Sequence, residues 1–212
     1  MELSAIRHAY LQAAVSTTTL LADPALTAAW GRPSALKEFS VHGLAGHLGA
    51  QIFHVTRALE ADVPDAQPLS VAEFFARAQA FDAEVDAEIS VRIRQGGEAA
   101  AAAGAKALIR EVEAAISRQR TTLSDEPGSR VVAMAGMPML LDDFLLTRMV
   151  EIVVHSDDLA FSADIPAPTF PPQVFEPVVD LLTRLAVVRH GQPAVVRALS
   201  RSERAPRTIA AF

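Results

Sequence analysis

The stretch Leu140–Phe161, LLDDFLLTRMVEIVVHSDDLAF, decides how this chain folds. It contains neither Gly nor Pro, and the last Pro before it is Pro138. A long, uninterrupted run of this kind reads as one helix. Within it Glu151 and His155 stand four residues apart, with Ile152, Val153 and Val154 between them. On a helix that spacing puts both side chains on one face, with Cβ atoms roughly 5–6 Å apart. A lone carboxylate buried on so apolar a surface is costly. A divalent metal ion removes the cost, and both side chains are good ligands. The pair is one imidazole short of the two-His, one-carboxylate set that holds catalytic zinc with a position left open.

Outward from this helix the chain reads as more helices. Ser4 to Ala22 carries Ile6, Tyr10, Ala13, Ala14, Thr17, Leu20 and Leu21 near a 3.6-residue period, and Asp23-Pro24 stops it. A loop is expected to follow Pro24 and run through Trp30-Gly31-Arg32-Pro33-Ser34. Ser40 is placed to cap a helix from Val41 to Ala61, and Ser70 to cap another over Val71–Arg94. Gly96-Gly97 is expected to break that segment, with helix resuming from Glu98 to Thr122. Ser129–Met139 reads as a small two-stranded turn around Ala135-Gly136. Beyond the Pro166–Pro172 connector, Val174 to His190 reads as a helix closed by Gly191, followed by a tail with Arg197, Arg201, Arg204 and Arg207. The expected fold class is mainly α: a four-helix bundle with extra short helices and one small β-hairpin.

Composition supports this and narrows the partners. Half of the 212 residues are hydrophobic but 6% are aromatic, so the core must be built mostly of Ala, Leu and Val. The net charge is −6, which argues against a duplex-binding surface. With no cysteine in the chain, disulfides, thiolate ligands and a cysteine nucleophile are excluded; their absence suits a reducing cytoplasm. No apolar run reaches the ~18 uncharged residues of a membrane span. The N-terminus begins with an acidic residue, Glu2, rather than the basic segment of a signal peptide.

The missing ligand should come from another helix. Of the six histidines, His47 is the best placed, in VHGLAGHLGAQIF. Gly43, Gly46 and Gly49 surround it at three-residue spacing. Each costs roughly 1 kcal/mol against Ala inside a helix, so another backbone or a ligand should come close. His54 shares the face of His47 but stands two turns, about 10.5 Å, away, too far for the same ion. The ligating atoms of His47, Glu151 and His155 are therefore expected within roughly 4 Å of one another.

Two segments carry a family resemblance. Trp30-Gly31-Arg32-Pro33-Ser34 followed by Phe39-Ser40-Val41-His42-Gly43-Leu44-Ala45-Gly46-His47-Leu48 resembles the W-x-x-P-S … W-T-V-x-D-L-x-x-H-L segment of the mycothiol-dependent maleylpyruvate isomerase family. Arg148–Leu159 resembles its second signature, and Arg189-His190-Gly191 with Arg204-Ala205-Pro206 its tail. The resemblance implies a DinB-like metal-binding bundle with ligands at His47, Glu151 and His155. It also implies activation of mycothiol by the metal, for isomerisation or transfer. Gly43 stands where the family has an acid, and Phe39 where it has Trp. The full isomerases carry a further C-terminal domain, whereas this sequence reads as one domain over residues 1–212, so the isomerase substrate does not carry over.

The leading expectation is a cytoplasmic, metal-dependent enzyme, with zinc as first choice and mycothiol as cosubstrate. It would transfer the thiol to, or isomerise, a small electrophile. A homodimer is compatible with this; nucleic acid and membrane partners are not expected. A metal-binding but non-catalytic bundle, acting in stress response or protein interaction, is the alternative. A hydrolase or iron enzyme is a third, because two His and one carboxylate also suit non-haem iron. Around the centre, Gln51 is a candidate to line the cleft, and Asp157 or Asp158 to orient His155. Arg148 is a candidate to hold a substrate carboxylate, or to neutralise Asp143 or a helix end.

Overall fold

The computed structural model describes residues 3–78 and 84–211. Nine α-helices occur among them: α1 Ala5–Leu21, α2 Pro24–Ala29, α3 Val41–Glu60, α4 Val71–Arg77, α5 Glu88–Ala101, α6 Ala105–Asp125, α7 Leu141–Ser162, α8 Pro172–His190 and α9 Gln192–Ser200. A hairpin of β1 Val131–Met134 and β2 Met137–Leu140 lies between α6 and α7. The long helices α1, α7, α3 and α6 pack as a ring of neighbours, α6 closing back on α1. Their shared interior holds Tyr10, Leu44, Leu48, Ile52, Leu108, Val112, Phe144 and Leu145, all essentially sealed from solvent. This is the mainly α bundle with one hairpin that the sequence implies.

Local chemistry sets the element ends. Ser4, Ser40 and Ser70 accept from the backbone N–H of Arg7, Gly43 and Glu73, each capping its helix. The hairpin turns through Ala135 and Gly136, both with positive φ (50° and 77°), the two-residue geometry that matches the twist of paired strands. Strand β2 runs directly into α7, whose first turn carries Asp142 and Asp143 at the positive end of the helix dipole. A buried guanidinium ties that end down. Arg7 donates to Asp142 Oδ1 at 2.8 Å and to the carbonyls of Leu123, Glu126 and Pro127 at 2.6–3.0 Å, where α6 ends.

Four expectations need correction. The helix expected over Val71–Arg94 is two helices, α4 ending at Arg77 and α5 starting at Glu88; residues 79–83 of that stretch lie outside the described residues. Gly96-Gly97 does not break the chain but lies inside α5, and the break falls at Gly104, with φ 89°. Residues 24–29, read as loop, form α2, started by Pro24 and capped by Asp23. The tail from Pro193 is helical as far as Ser200.

Gly97 stays helical because α5 needs it to lie against α3. A Cβ on Gly97 would overlap the carbonyl oxygen of Gly43, and one on Gly46 the carbonyl oxygen of Gly97. A Cβ on Gly49 would stand 3.0 Å from Leu108 Cδ1 of α6. The glycines around His47 thus admit neighbouring helices, with backbone against backbone at α5. Packing this close holds the His47 turn between α5 on one side and α7 on another.

Candidate metal centre

Two adjacent helices build the site. His47 and Gln51 are one turn apart on α3; Arg148, Glu151, His155 and Asp158 follow one another at three- and four-residue steps on α7. His47 Nε2 lies 3.5 Å from Glu151 Oε2, and His155 Nε2 lies 3.3 Å from the same oxygen. The two rings meet edge to face, centroids 4.8 Å apart. One ligand atom from each residue falls within 4.8 Å of the other two, the one such trio among the described residues. Two of the separations meet the expected 4 Å, and the ring-to-ring one is bounded by 4.8 Å. The side chains are 12–18% exposed, so the site is sheltered yet reachable.

Hydrogen bonds decide which atoms face inward as lone pairs. His155 Nδ1 stands 2.9 Å from Asp158 Oδ2. A carboxylate there can only accept, so Nδ1 carries a proton and Nε2 points at Glu151. On the other side Arg148 Nη1 donates to Gln51 Oε1 at 2.6 Å. Arginine has no acceptor, so the atom facing it must be the amide oxygen. The amide nitrogen then faces His47, 3.0 Å from its carbonyl oxygen and 3.2 Å from Nε2. Because that nitrogen donates, His47 Nε2 must accept. With His155 neutral, two imidazole lone pairs and a carboxylate therefore converge, and the centre then calls for a positive charge. This donor set suits a divalent cation of the zinc or iron type.

Electrostatics follow the same logic. Burial holds His47 below the ordinary histidine range, outweighing Glu151 beside it. Burial opposes ionisation of Glu151, but the hydrogen bond and charge of His155 and the charge of Arg148 leave it well below the usual carboxylate range. Burial also opposes charging of His155, yet Asp158 and Glu151 overcome it and raise its pKa to about 9. Without a cation, a proton on His155 thus supplies the positive centre.

The remaining candidates fall into place around the trio. Arg148 is buried and does not reach Asp143; its partners are Gln51 and the Thr147 hydroxyl, with the Phe144 ring 5.4 Å away. Asp158, not Asp157, holds His155. His54 is pushed down to about 3 by burial and by the charges of Arg148 and Arg57. His42 pairs with Glu98 of α5 and the Trp30 carbonyl, fixing the loop before α3. His8 lies exposed on α1, and His190 contacts the Ala210 carbonyl. Sequence reading missed two neighbours. The Phe39 ring lies 5.9 Å from the His47 ring. Glu98 meets Ser40 Oγ at 2.6 Å and locks the start of α3. No spacing could flag Glu98, whose partner is 58 residues away.

A family model described as "Mycothiol maleylpyruvate isomerase N-terminal domain" matches residues 10–160, well over half of the chain. No curated protein and no solved structure matches the chain. The matched span runs from within α1 to the last turn of α7 and contains His47, Glu151 and His155. No helix among the described residues is long and apolar enough to cross a membrane.

Proposed function

The chain belongs to the mycothiol maleylpyruvate isomerase N-terminal domain family, and on that footing we propose that it is a metal-dependent, thiol-using transferase or isomerase acting on a small electrophile. The observation that carries this is the convergence of two imidazoles and one carboxylate from α3 and α7 on a single point, within 4.8 Å of one another. His47, Glu151 and His155 would hold one divalent ion, zinc first. Bound there, the ion would lower the pKa of a thiol and make it nucleophilic at neutral pH. The chain lacks cysteine, so the thiol comes from a cosubstrate, and the family's name makes mycothiol the first candidate.

The protein's residues have separate tasks in this reading. Asp158 fixes the His155 tautomer and aims its lone pair. Glu151 supplies the negative charge that offsets the ion. Phe39 walls the site beside His47. The thiol releases its proton to solvent and its sulfur bonds to one carbon of a conjugated C=C bond, whose π pair moves onto the neighbouring carbonyl as an enolate. If the enolate takes up a proton and the sulfur stays, the reaction is transfer; if it expels the thiolate after rotation about the former double bond, it is isomerisation. The test is consumption of electrophiles such as maleyl-type unsaturated acids and epoxides by metal-loaded protein, with mycothiol beside glutathione and bacillithiol. Turnover with mycothiol that disappears in His47→Ala is the expected result. A fully metallated protein inert with every thiol would move the function to a non-catalytic metal-binding bundle.

A further inference from the structure

Gln51 is 1% exposed, and each of its polar atoms is committed. Its oxygen accepts from Arg148 Nη1 at 2.6 Å. One amide hydrogen goes to the His47 carbonyl at 3.0 Å, and the other to His47 Nε2 at 3.2 Å. The side chain cannot turn away, because Arg148 fixes its oxygen and the α3 backbone fixes one hydrogen. Yet its second acceptor is a lone pair that the proposed function gives to a cation. Once that lone pair is used, a buried N–H is left without a partner in the metal's immediate surroundings. A buried donor left unmet is strongly unfavourable, so an acceptor beside the ion is needed to satisfy it.

We infer that Gln51 is an anion-binding residue of this site: its free N–H donates to the thiolate of the cosubstrate, with buried Arg148 fixing the amide and adding positive charge behind it. This rests on the metal reading above and extends it to the ligand in the open position. Charge agrees with it. Arg148 and Glu151 offset each other, and Asp158 adds one negative charge, so a divalent ion leaves the centre with one net positive charge. That favours a monoanion such as a thiolate over a neutral ligand.

The test uses the cobalt(II)-loaded full chain titrated with 2-mercaptoethanol, following the thiolate-to-cobalt charge-transfer absorption. Cobalt stoichiometry is measured separately. Gln51→Leu removes the donor at similar volume. The paired variant Gln51→Leu/Arg148→Met also removes the guanidinium that the single change leaves unmet, and guards against a misfolded single variant. Both are expected to bind one cobalt per chain and to hold the thiolate about tenfold more weakly. Unchanged thiolate affinity in both would overturn the inference, as would a cobalt-loaded wild type that takes no thiolate. Loss of cobalt on Gln51 substitution would overturn it too, by making Gln51 a prop for His47. A wild type that takes up no cobalt would instead refute the metal reading itself.

Discussion

Gly96 and Gly97 are adjacent in α5, yet replacing them by alanine should move stability in opposite directions. A Cβ on Gly96 meets nothing within 4 Å. Gly96→Ala therefore gains the helix propensity that glycine lacks, about 0.5–1 kcal/mol. A Cβ on Gly97 overlaps the Gly43 carbonyl oxygen and stands 3.2 Å from the His47 backbone nitrogen. These are backbone atoms of α3, so no side chain can swing aside and the two helices must separate. Overpacking a tight core costs typically 1–3 kcal/mol, and a backbone clash belongs at the upper end. Set against ~1 kcal/mol of regained propensity, the net loss is about 2 kcal/mol. For a chain of this size that is about 4–8 °C in Tm, while Gly96→Ala should raise Tm by about 1–4 °C. Urea unfolding followed by helical circular dichroism gives both values on one scale. Because the clash lies at His47, Gly97→Ala should also weaken metal binding, which Gly96→Ala should leave alone. Equal stabilities for the two variants would show that α3 and α5 do not lie this close, and the placing of His47 would fall with it.

Asp158→Ala should lower metal affinity about 10–100-fold with helicity unchanged, because His155 loses the partner that sets its tautomer; competition with a chelator measures this, and an unaltered affinity would remove Asp158 from the site. With its pKa near 9 in the metal-free protein, His155 must lose a proton to bind a cation, so affinity should rise by about one decade per pH unit from pH 7 to 9 and flatten above; a flat profile over that range would contradict the shift. The same raised pKa stabilises the metal-free fold below about pH 6.5 and is lost as pH climbs through about 9, so metal-free melts should soften over that window, and His155→Gln should abolish the effect. Arg7→Met strips donors from Asp142 and three carbonyls; Asp142 is 32% exposed and can hydrate, so the loss should be about 3 kcal/mol, or about 6–12 °C in Tm, with metal affinity intact.

How much of this was legible in the sequence depends on how far each cause lay from its effect. Helix α7 was readable because its evidence is local: a long apolar run with no breaker. The serine caps were readable for the same reason. That the three side chains meet was readable across about a hundred residues because imidazole and carboxylate on apolar faces call for a shared partner, and because the family resemblance falls on the same residues. Gly96-Gly97 was misread because the partner that explains Gly97 sits on α3, more than fifty residues earlier. The glycine spacing around His47 did signal a close approach, but nothing in it said which helix approaches. Arg148 reads ambiguously in sequence, since a guanidinium can serve an acid, a helix end or an amide; its contact with Gln51, 97 residues away, decides the matter. Arg7 gave no warning at all, being a charge on a helix whose other inward positions are Ala, Leu, Tyr and Thr.

Metal stoichiometry tests the central claim most directly. Zinc, iron, nickel and cobalt would be quantified by mass spectrometry in the purified protein and after loading, beside His47→Ala and Glu151→Gln. One divalent ion per chain is expected in the wild type and well below one in either variant, with helicity retained in all three. The Ala, Leu and Val core does not need the ion to fold, unlike small zinc modules whose binding energy is their folding energy. A wild type that holds no divalent ion even after loading, or variants that keep a full ion, would contradict a metal centre at His47, Glu151 and His155.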